Sequence, residues 1–306
     1  MKARIVWLIL CGIWGSTWLF IKLGLADLPP LTFAGIRFVL ASLILSLMIL
    51  ARRVRWPRSR SEWVLITISG LLQFSFNYGL VFWGEQHISS GLAAVLQSIF
   101  PAFGLLIAHL YLPYERLTTK KAVGVLLGVF GVAIIFSDQL SIAGHLALFG
   151  SVALVLSAFF GSYSNVLVKA YGQQIDPQVL AAGQMVCGFP PLLVLGIATE
   201  GNPFRFHWTL MAVVSLAYLV VVGSVIAFAL YYWLVRHMDV TNTMLIALVT
   251  PVVAVVLGMI VLHEQLNWRL FAGAACIISG IGMIVLRKRK KTVAIDEEEP
   301  EMMAVG

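Results

Sequence analysis

Arg37 is a charged residue within an apolar run, seven residues after Pro30. Its planar guanidinium group suits a carboxylate or a phosphate, because two of its N–H groups can donate parallel hydrogen bonds. A charge held among apolar residues is costly and normally faces a cavity or a partner. One hypothesis is therefore that Arg37 binds an anionic group of a ligand. The alternatives are a structural ion pair with Asp27 or Glu85, or a side chain that extends to a membrane interface.

Uncharged polar and aromatic residues lie at helical spacing in other apolar runs. Amides in lipid need hydrogen-bond partners, so these side chains should face the interior, where they would suit an amphipathic small molecule. Hydrogen bonds between helices explain the amides equally well, and the tryptophans could instead lie at the membrane interface. The candidate substrate-binding residues are Trp14, Trp18, Arg37, Gln73, Asn77, Tyr78, Gln97, Ser164, Asn165, Gln184 and Tyr232.

Two prolines, Pro101 and Pro251, lie inside apolar runs 150 residues apart. Each removes one backbone hydrogen bond and should bend its helix. Paired interruptions in corresponding membrane helices point to a binding region and its gates, so both prolines are candidate gating residues. A static kink is the alternative.

The acidic residues fall in connections, at the edges of apolar runs or in the C-terminal tail. A membrane-buried Asp or Glu is the usual site of proton or sodium coupling, and none lies at the centre of a run. If this chain transports a ligand, we therefore expect weak or no coupling of that transport to protons or sodium ions, which leaves facilitated diffusion or exchange. Glu85 and His87 could still titrate.

The sequence offers little for catalysis or for binding a metal ion. His263 does not begin a zinc motif, because Asn267 stands where the motif needs its second histidine. No apolar run holds a Ser/His/Asp set or a cluster of metal ligands. We therefore expect no enzyme, no metal and no cofactor.

The elements that position these residues must be membrane helices. Of 306 residues, 60% are hydrophobic and only 11% are charged, which a soluble domain could not bury. The three cysteines lie in apolar runs, which argues against a disulfide scaffold. We predict ten spans, approximately 4–24, 30–51, 62–83, 89–112, 120–137, 146–168, 177–198, 209–234, 240–262 and 268–286.

The positive charge indicates orientation rather than nucleic-acid binding. The net charge of +7 arises from short basic bursts between apolar runs. With ten spans and an inner N-terminus, all but four of the 21 basic residues fall on the inner side. Both termini are therefore predicted to be cytoplasmic. The four outer residues are Lys22, Arg37, Arg205 and Arg269.

The two halves of the chain repeat one another. Trp83, His87 and Pro101 recur 150 residues later, and Glu115, Leu117, Gly124 and Gly131 recur 149 residues later. Lys22 recurs as Lys169, and Gln184 occupies the position equivalent to Arg37, both 147 residues later. Five spans per half is an odd number, so the second copy should enter the membrane from the opposite side. Such an inverted repeat favours a transporter, because exchanging the conformations of the halves opens each side in turn.

The first predicted span contains Trp14-Gly15-Ser16-Thr17-Trp18 running to Lys22, and the second contains Phe33-Ala34-Gly35-Ile36-Arg37-Phe38. They are followed by Ser90-Gly91-Leu92-Ala93-Ala94, Pro101, and Glu115 before a glycine-rich helix. In this order the motifs resemble the ten-helix EamA-type branch of the drug/metabolite transporter superfamily over about residues 5–286. Members of that family export amino acids, metabolites or drugs, so the resemblance implies a class of activity rather than one substrate.

The sequence thus predicts an all-α integral membrane protein with ten transmembrane helices in two inverted five-helix repeats. The repeats span 1–138 and 139–291, and a disordered acidic cytoplasmic tail follows at 292–306. The predicted function is secondary transport of amino acids or amphipathic and aromatic metabolites, in the direction of export, across the inner membrane.

Three other classes stay open: a translocator for sugar phosphates or nucleotide sugars, a passive channel and a membrane enzyme. The expected partners are a small-molecule substrate and the lipid bilayer, without nucleic acid. Glycine stripes in the predicted fifth and tenth spans favour helix packing or a dimer face, so a monomer and a homodimer are both compatible.

Overall fold

The computed structural model describes residues 2–111, 118–142, 144–237, 246–264 and 267–285, and these ranges contain no β-strand. The predicted tail at 292–306 lies outside them. The α-helices are α1 Lys2–Leu25, α2 Pro30–Ala51, α3 Arg60–Gly70, α4 Tyr78–His87, α5 Ser90–Gln97, α6 Phe100–Tyr111, α7 Thr119–Ile142, α8 Gly144–Tyr171, α9 Pro177–Glu200, α10 Leu210–Val220, α11 Ala227–His237, α12 Ile246–Val261 and α13 Trp268–Val285.

The chain is a multi-pass membrane protein built from helices. Seven helical stretches of the described residues are long and apolar enough to cross a membrane. Shorter apolar helices lie at Val249–Val261 and Trp268–Met283. The total of ten spans stays a prediction. The seven stretches are Lys2–Leu25, Pro30–Ala51, Arg60–His87, Ser90–Tyr111, His145–Tyr171, Pro177–Glu200 and Leu210–Tyr231.

Polar residues in the connections define where several helices begin. The Ser59 side chain accepts a hydrogen bond from a main-chain N–H, and Glu62 bonds back to Ser59, which forms a capping box before α3. Asp176 accepts hydrogen bonds from the N–H groups of Gln178 and Val179 at the start of α9, and Pro177 has no N–H that would need an acceptor. These caps place the ends of the helices at the edges of the apolar runs.

Two membrane-crossing stretches change locally to π-helix. Leu71–Asn77 joins α3 to α4, and Val221–Ile226 joins α10 to α11. The two π segments begin 150 residues apart, which is the offset of the sequence repeat. A π segment leaves main-chain groups less regularly paired and is frequent at functional sites. The unusual backbone therefore occurs at matching positions in the two halves.

Contacts between the N-terminal half (α1–α7) and the C-terminal half (α8–α13) are reciprocal. Helix α1 packs against α10 and α12, whereas α8 packs against α3 and α6, the corresponding helices of the other half. Helix α2 lies along α9 and also touches the second π segment, while α9 touches α3 and the first π segment. Helices α7 and α13 pack against each other. Each half thus packs on the other in a matching way.

The glycine stripes lie within the contact between α7 and α13. A Cβ atom placed on Gly131 would lie 2.5 Å from the main-chain oxygen of Gly273, and one on Gly273 would lie 2.7 Å from the oxygen of Gly131. Only glycine permits backbones to approach this closely. The packing interpretation of the stripes is therefore confirmed for these two residues.

Gly131→Ala should lower the thermal unfolding temperature, because its new Cβ meets main-chain atoms that cannot move aside easily. Overpacking of this kind costs about 1–3 kcal/mol. Gly128→Ala on the same helix is the matched control, since nothing lies within 4 Å of its Cβ position. Thermal unfolding of both variants in detergent is the measurement, and an equal loss in the two would contradict the close contact.

Candidate functional site

Arg37 lies in the interior of the bundle, 3% exposed, on α2. Its Nε donates a hydrogen bond to Ser224 Oγ at 3.3 Å, and Ser224 belongs to the second π segment. Its Nη1 is buried without a hydrogen-bond partner. A buried guanidinium group that has not used all its donors can still bind an anion.

Three aromatic rings surround the Arg37 guanidinium. Its Cζ lies 5.1 Å from the ring centre of Phe38, 5.4 Å from that of Tyr78 and 5.9 Å from that of Phe82. Tyr78 also stacks against Phe74, with ring centres 5.7 Å apart. The faces of aromatic rings attract a cation, and this offsets part of the cost of burying the charge. The structure therefore brings the predicted residues Arg37 and Tyr78 together.

Neither of the carboxylates expected to pair with Arg37 forms a hydrogen bond with it. Asp27 accepts a hydrogen bond from Thr209 Oγ1 at 2.5 Å, and its other oxygen lies 3.6 Å from His207 Nδ1. Neither carboxyl oxygen of Glu85 has a hydrogen-bond partner, so Glu85 does not bond Arg37 either. At 3% exposure Arg37 does not extend to an interface.

Gln184 makes the contact that corresponds to that of Arg37. Its Nε2 donates to Ser69 Oγ at 2.8 Å, and Ser69 lies just before the first π segment. The Ser164 hydroxyl donates to the main-chain oxygen of Ser69, also at 2.8 Å. Each of the two equivalent residues, Arg37 and Gln184, thus reaches across to the π-interrupted stretch of the other half.

A second polar group joins α5, α8 and the first π segment. Gln97 Nε2 donates to Asn77 Oδ1 at 3.1 Å, and Ser157 Oγ donates to Gln97 Oε1 at 2.7 Å. Gly161 lets α8 approach, because a Cβ there would lie 3.1 Å from the Asn77 amide. For Asn77 and Gln97 the inter-helix interpretation is confirmed, and a binding role stays a prediction.

The remaining predicted residues are spread along the bundle. Trp14 packs against Tyr231 and Phe228, with ring centres 5.4 and 6.4 Å apart. Trp18 is half-buried against the core. The Tyr232 side chain lies outside the described residues. The two aromatic partners of Trp14, Phe228 and Tyr231, both lie on α11.

Two of the predicted amides differ from the rest. Gln73 is partly buried, and its Oε1 has no hydrogen-bond partner. Asn165 is exposed, although it lies two helical turns after the fully buried Ala158 and so on the same face of α8. The expectation that every amide would be enclosed is therefore wrong for Asn165.

The two candidate gating prolines differ. Helix α5 ends at Gln97 and α6 begins at Phe100, so Pro101 lies at an interruption between two helices. Pro251 lies inside α12, which continues from Ile246 to Val261. Only Pro101 therefore coincides with a break in the helix.

Four charged side chains lie at one end of the bundle, which we call the capped end: Lys22, Asp27, Glu200 and Glu264. Three of them, Lys22, Glu200 and Glu264, bind main-chain groups at helix ends. Glu200 accepts hydrogen bonds from the N–H groups of Leu31 and Thr32 at 2.8 Å, at the start of α2. Acids near helix N-termini complete the hydrogen bonds and complement the helix dipole. The acid comes from the C-terminal half, whereas α2 belongs to the N-terminal half.

The turn between α4 and α5 is capped on both sides. Glu264 accepts hydrogen bonds from the N–H of Ser90 at 2.7 Å and that of Gly91 at 3.2 Å. Lys22 Nζ donates to the main-chain oxygens of Glu85 and Ile88 at 2.7 and 2.6 Å. Lys22 therefore has a structural role at the end of α4. Sequence reasoning missed the capping role of Glu264, because its partners lie over 170 residues away.

A cavity of about 300 Å³ lies at the opposite end, between Arg55–Arg58 and Gln174–Asp176. None of the predicted binding residues lines this cavity. Among the described residues, no group of three His, Cys, Asp or Glu side chains is placed to hold a metal ion.

Long apolar helices around buried polar side chains define an integral membrane protein. The model of the EamA-like transporter family matches residues 2–137 and again residues 148–286, so the chain belongs to this family. The same family model thus matches each half of the chain separately.

Relatives named as transporters match most of the chain. It is 29% identical over 271 residues to "Uncharacterized transporter YoaV" of Bacillus subtilis, covering 89% of this chain and 92% of the relative. It is 29% identical to "Uncharacterized inner membrane transporter YedA" of Escherichia coli K12, covering 90% and 88%. It is 27% identical to the "Probable amino-acid metabolite efflux pump" of the same organism, covering 94% and 97%.

One crystal structure of a protein has the same fold, with a TM-score of 0.65 and 18% identity, over 92% of this chain and 96% of the other.

Gln97→Leu should destabilise the protein, because it leaves Asn77 Oδ1 buried without its donor. An unsatisfied buried polar group costs about 1–3 kcal/mol. Gln86→Leu is the control, since the side chain of Gln86 is exposed on the neighbouring α4. Thermal unfolding in detergent measures both variants. Unchanged unfolding of Gln97→Leu would show that the link between α5 and the π segment is dispensable.

Proposed function

We propose that this protein is a secondary transporter that moves small metabolites by alternating access between two inverted five-helix repeats. The repeats are residues 1–138 and 139–291, with ten spans and both termini in the cytoplasm of a cell with an inner membrane. The observation that carries this function is the reciprocal pair of contacts, Arg37 with Ser224 and Gln184 with Ser69. A two-fold exchange of the halves interconverts such contacts.

The capped end is the outer end under this topology, and it is closed in this structure. Asp27, Glu200 and Glu264 each bond from one half to the other across it. At the other end Asn165 is exposed on an interior helix face. The arrangement supports a conformation that admits water from the cytoplasmic side.

The substrate class follows from Arg37 and its surroundings. A guanidinium group with an unused donor among aromatic rings suits an amphipathic molecule that carries a carboxylate, such as an aromatic amino acid. One relative is named as a probable efflux pump for amino-acid metabolites, which supports export of compounds of this kind. Arg37, Gln73 and Tyr78 are the residues we assign to its binding.

A sugar-phosphate or nucleotide-sugar translocator is the second candidate. Such a site needs several basic groups around its phosphates. Lys22 donates to three main-chain carbonyls, so its amine is not free to bind a phosphate. The structure therefore favours a substrate with a single anionic group.

Counterflow in liposomes tests the transport function. Purified protein in vesicles loaded with one unlabelled amino acid or metabolite at a time should take up the labelled compound transiently above equilibrium, and uptake should saturate. A carrier gives this overshoot because its site returns loaded. Passive equilibration without overshoot would indicate a channel, and chemical conversion of the compound would indicate an enzyme.

Arg37→Gln should raise the half-saturation concentration for carboxylate-bearing substrates by about ten- to a hundredfold. The reason is that a hydrogen bond to a charged group contributes about 1.5–3 kcal/mol. Amide analogues of the same compounds should be little affected. Arg52→Gln, which removes an exposed arginine, is the control. If Arg37→Gln leaves the transport of every accepted substrate unchanged, the anion-binding role is wrong.

A further inference from the structure

We propose that Glu85 is the proton-binding group of this transporter and that it couples transport to a pH gradient. This role rests on the transport function proposed above. It departs from the expectation of weak coupling, which relied on Glu85 lying near the end of its apolar run. That position along the chain is correct, but it does not expose the side chain.

The Glu85 carboxyl group is enclosed by protein. Glu85 is 0% exposed, and both its oxygens are buried without a hydrogen-bond partner. On the adjacent face of α4, Gly84 packs closely against Gly150 and Leu154 of α8. Neither of these α8 residues offers a donor side chain to the carboxyl group.

Three charged groups interact electrostatically with Glu85, but none of them donates a hydrogen bond to its carboxyl oxygens. These groups are Lys22 from α1, Arg37 from α2 and Glu264 from the connection after α12. Lys22 uses its three N–H donors on the main-chain oxygens of residues 85, 86 and 88. The one hydrogen bond recorded for Arg37 goes to Ser224. The nearby cations therefore do not donate to the carboxyl oxygens.

The acidic and other titratable neighbours do not supply a donor either. Both oxygens of Glu264 accept hydrogen bonds from Ser90 and Gly91, so its charge is held in place. On α4 itself, His87 packs its ring against Trp83, with ring centres 4.9 Å apart. Glu85 is the acid at the capped end that lies buried with no donor.

The closed arrangement suits the protonated form of Glu85. An ionised carboxylate buried without a donor costs several kcal/mol, which the charges of Lys22 and Arg37 offset in part, whereas the neutral acid avoids most of that cost. When the Glu264 contact with Ser90 opens, water can reach and solvate the carboxylate. The proton comes from water on the side where the bundle is open and returns to water on the other side, so no other reactant is needed.

Carbodiimide labelling tests the protonation of Glu85 without a known substrate. Dicyclohexylcarbodiimide is an apolar reagent to which a protonated carboxylic acid adds: the acid gives its proton to one nitrogen, its oxygen bonds to the central carbon, and the acyl group then shifts to nitrogen. Mass spectrometry of the wild-type protein near neutral pH should find the adduct on Glu85 and not on Glu264. Labelling that spares Glu85, or that favours Glu264, would overturn the assignment.

Transport in liposomes tests the coupling, with L-phenylalanine as the first probe and any compound that shows counterflow as the next. A gradient of one pH unit corresponds to about 1.4 kcal/mol, so one coupled proton should shift net accumulation about tenfold, and reversing the gradient should reverse the flux. Glu85→Gln should lose this response but keep counterflow, which needs no net proton movement. Glu62→Gln, a change of the same kind at the opposite end, should keep both.

Each failure has a separate meaning. If no compound shows counterflow, the proposed transport function is contradicted. The labelling experiment on the wild-type protein would still decide whether Glu85 is protonated. A wild type that ignores the gradient, or a Glu85→Gln variant that still responds to it, would overturn the coupling role and leave the transport function standing.

Discussion

A chain that crosses a bilayer must pair its own main-chain N–H and C=O groups, because lipid offers no partners. Continuous helices meet this requirement by themselves, but helix ends do not. Here the ends at the capped end are completed by distant side chains: Glu200 serves α2, Glu264 serves α5 and Lys22 serves α4. Glu200 and Glu264 also join the two halves. The same hydrogen bonds therefore hold the two halves together at that end and pair the main-chain groups there.

In the proposed transport mechanism, the stability of the capped end therefore determines how easily that end opens. A conformation that opens the capped end must replace the hydrogen bonds of Glu200 and Glu264 with water, which is possible only where water enters. The two π segments, by contrast, lie deeper, and hydroxyl and amide side chains accompany them there. Ser224 donates to the Leu219 oxygen and accepts from Arg37, so the irregular backbone and the buried charge share one hydroxyl group.

The two halves are similar in arrangement but not in chemistry. Arg37 and Gln184 occupy equivalent places, yet only the N-terminal half holds a charge there. Pro101 lies at a helix break, whereas Pro251 lies in a continuous helix. A carrier needs similar halves to exchange conformations, but its ligand is asymmetric, so the site itself need not repeat. Arg37 is the one buried basic residue among those whose burial the structure describes, so a pathway of the proposed kind would differ in charge between its two halves.

Much of the fold was available from the sequence, because long apolar runs have few alternatives in lipid. The second predicted span, 30–51, coincides with α2, and the π segments, which the sequence did not predict, begin at the same offset near 150 as the recurring residues. The site was less accessible. Arg37 and Tyr78 were each named as candidates, but their contact was not predicted, and Ser69 and Ser224 were missed, since a serine in an apolar run gives no sign of its partner.

The sequence by itself determined the membrane helices, their charged edges and the two-fold repetition, because these depend on local composition and on spacing along the chain. Only the tertiary structure decided which charges are paired. Lys22, Arg37 and Glu85 look alike in the sequence, as isolated charges among apolar residues. In the fold one caps a helix, one lies among aromatic rings with an unused donor, and one is buried without a partner. Burial and pairing arise from contacts between distant segments, which no local pattern encodes.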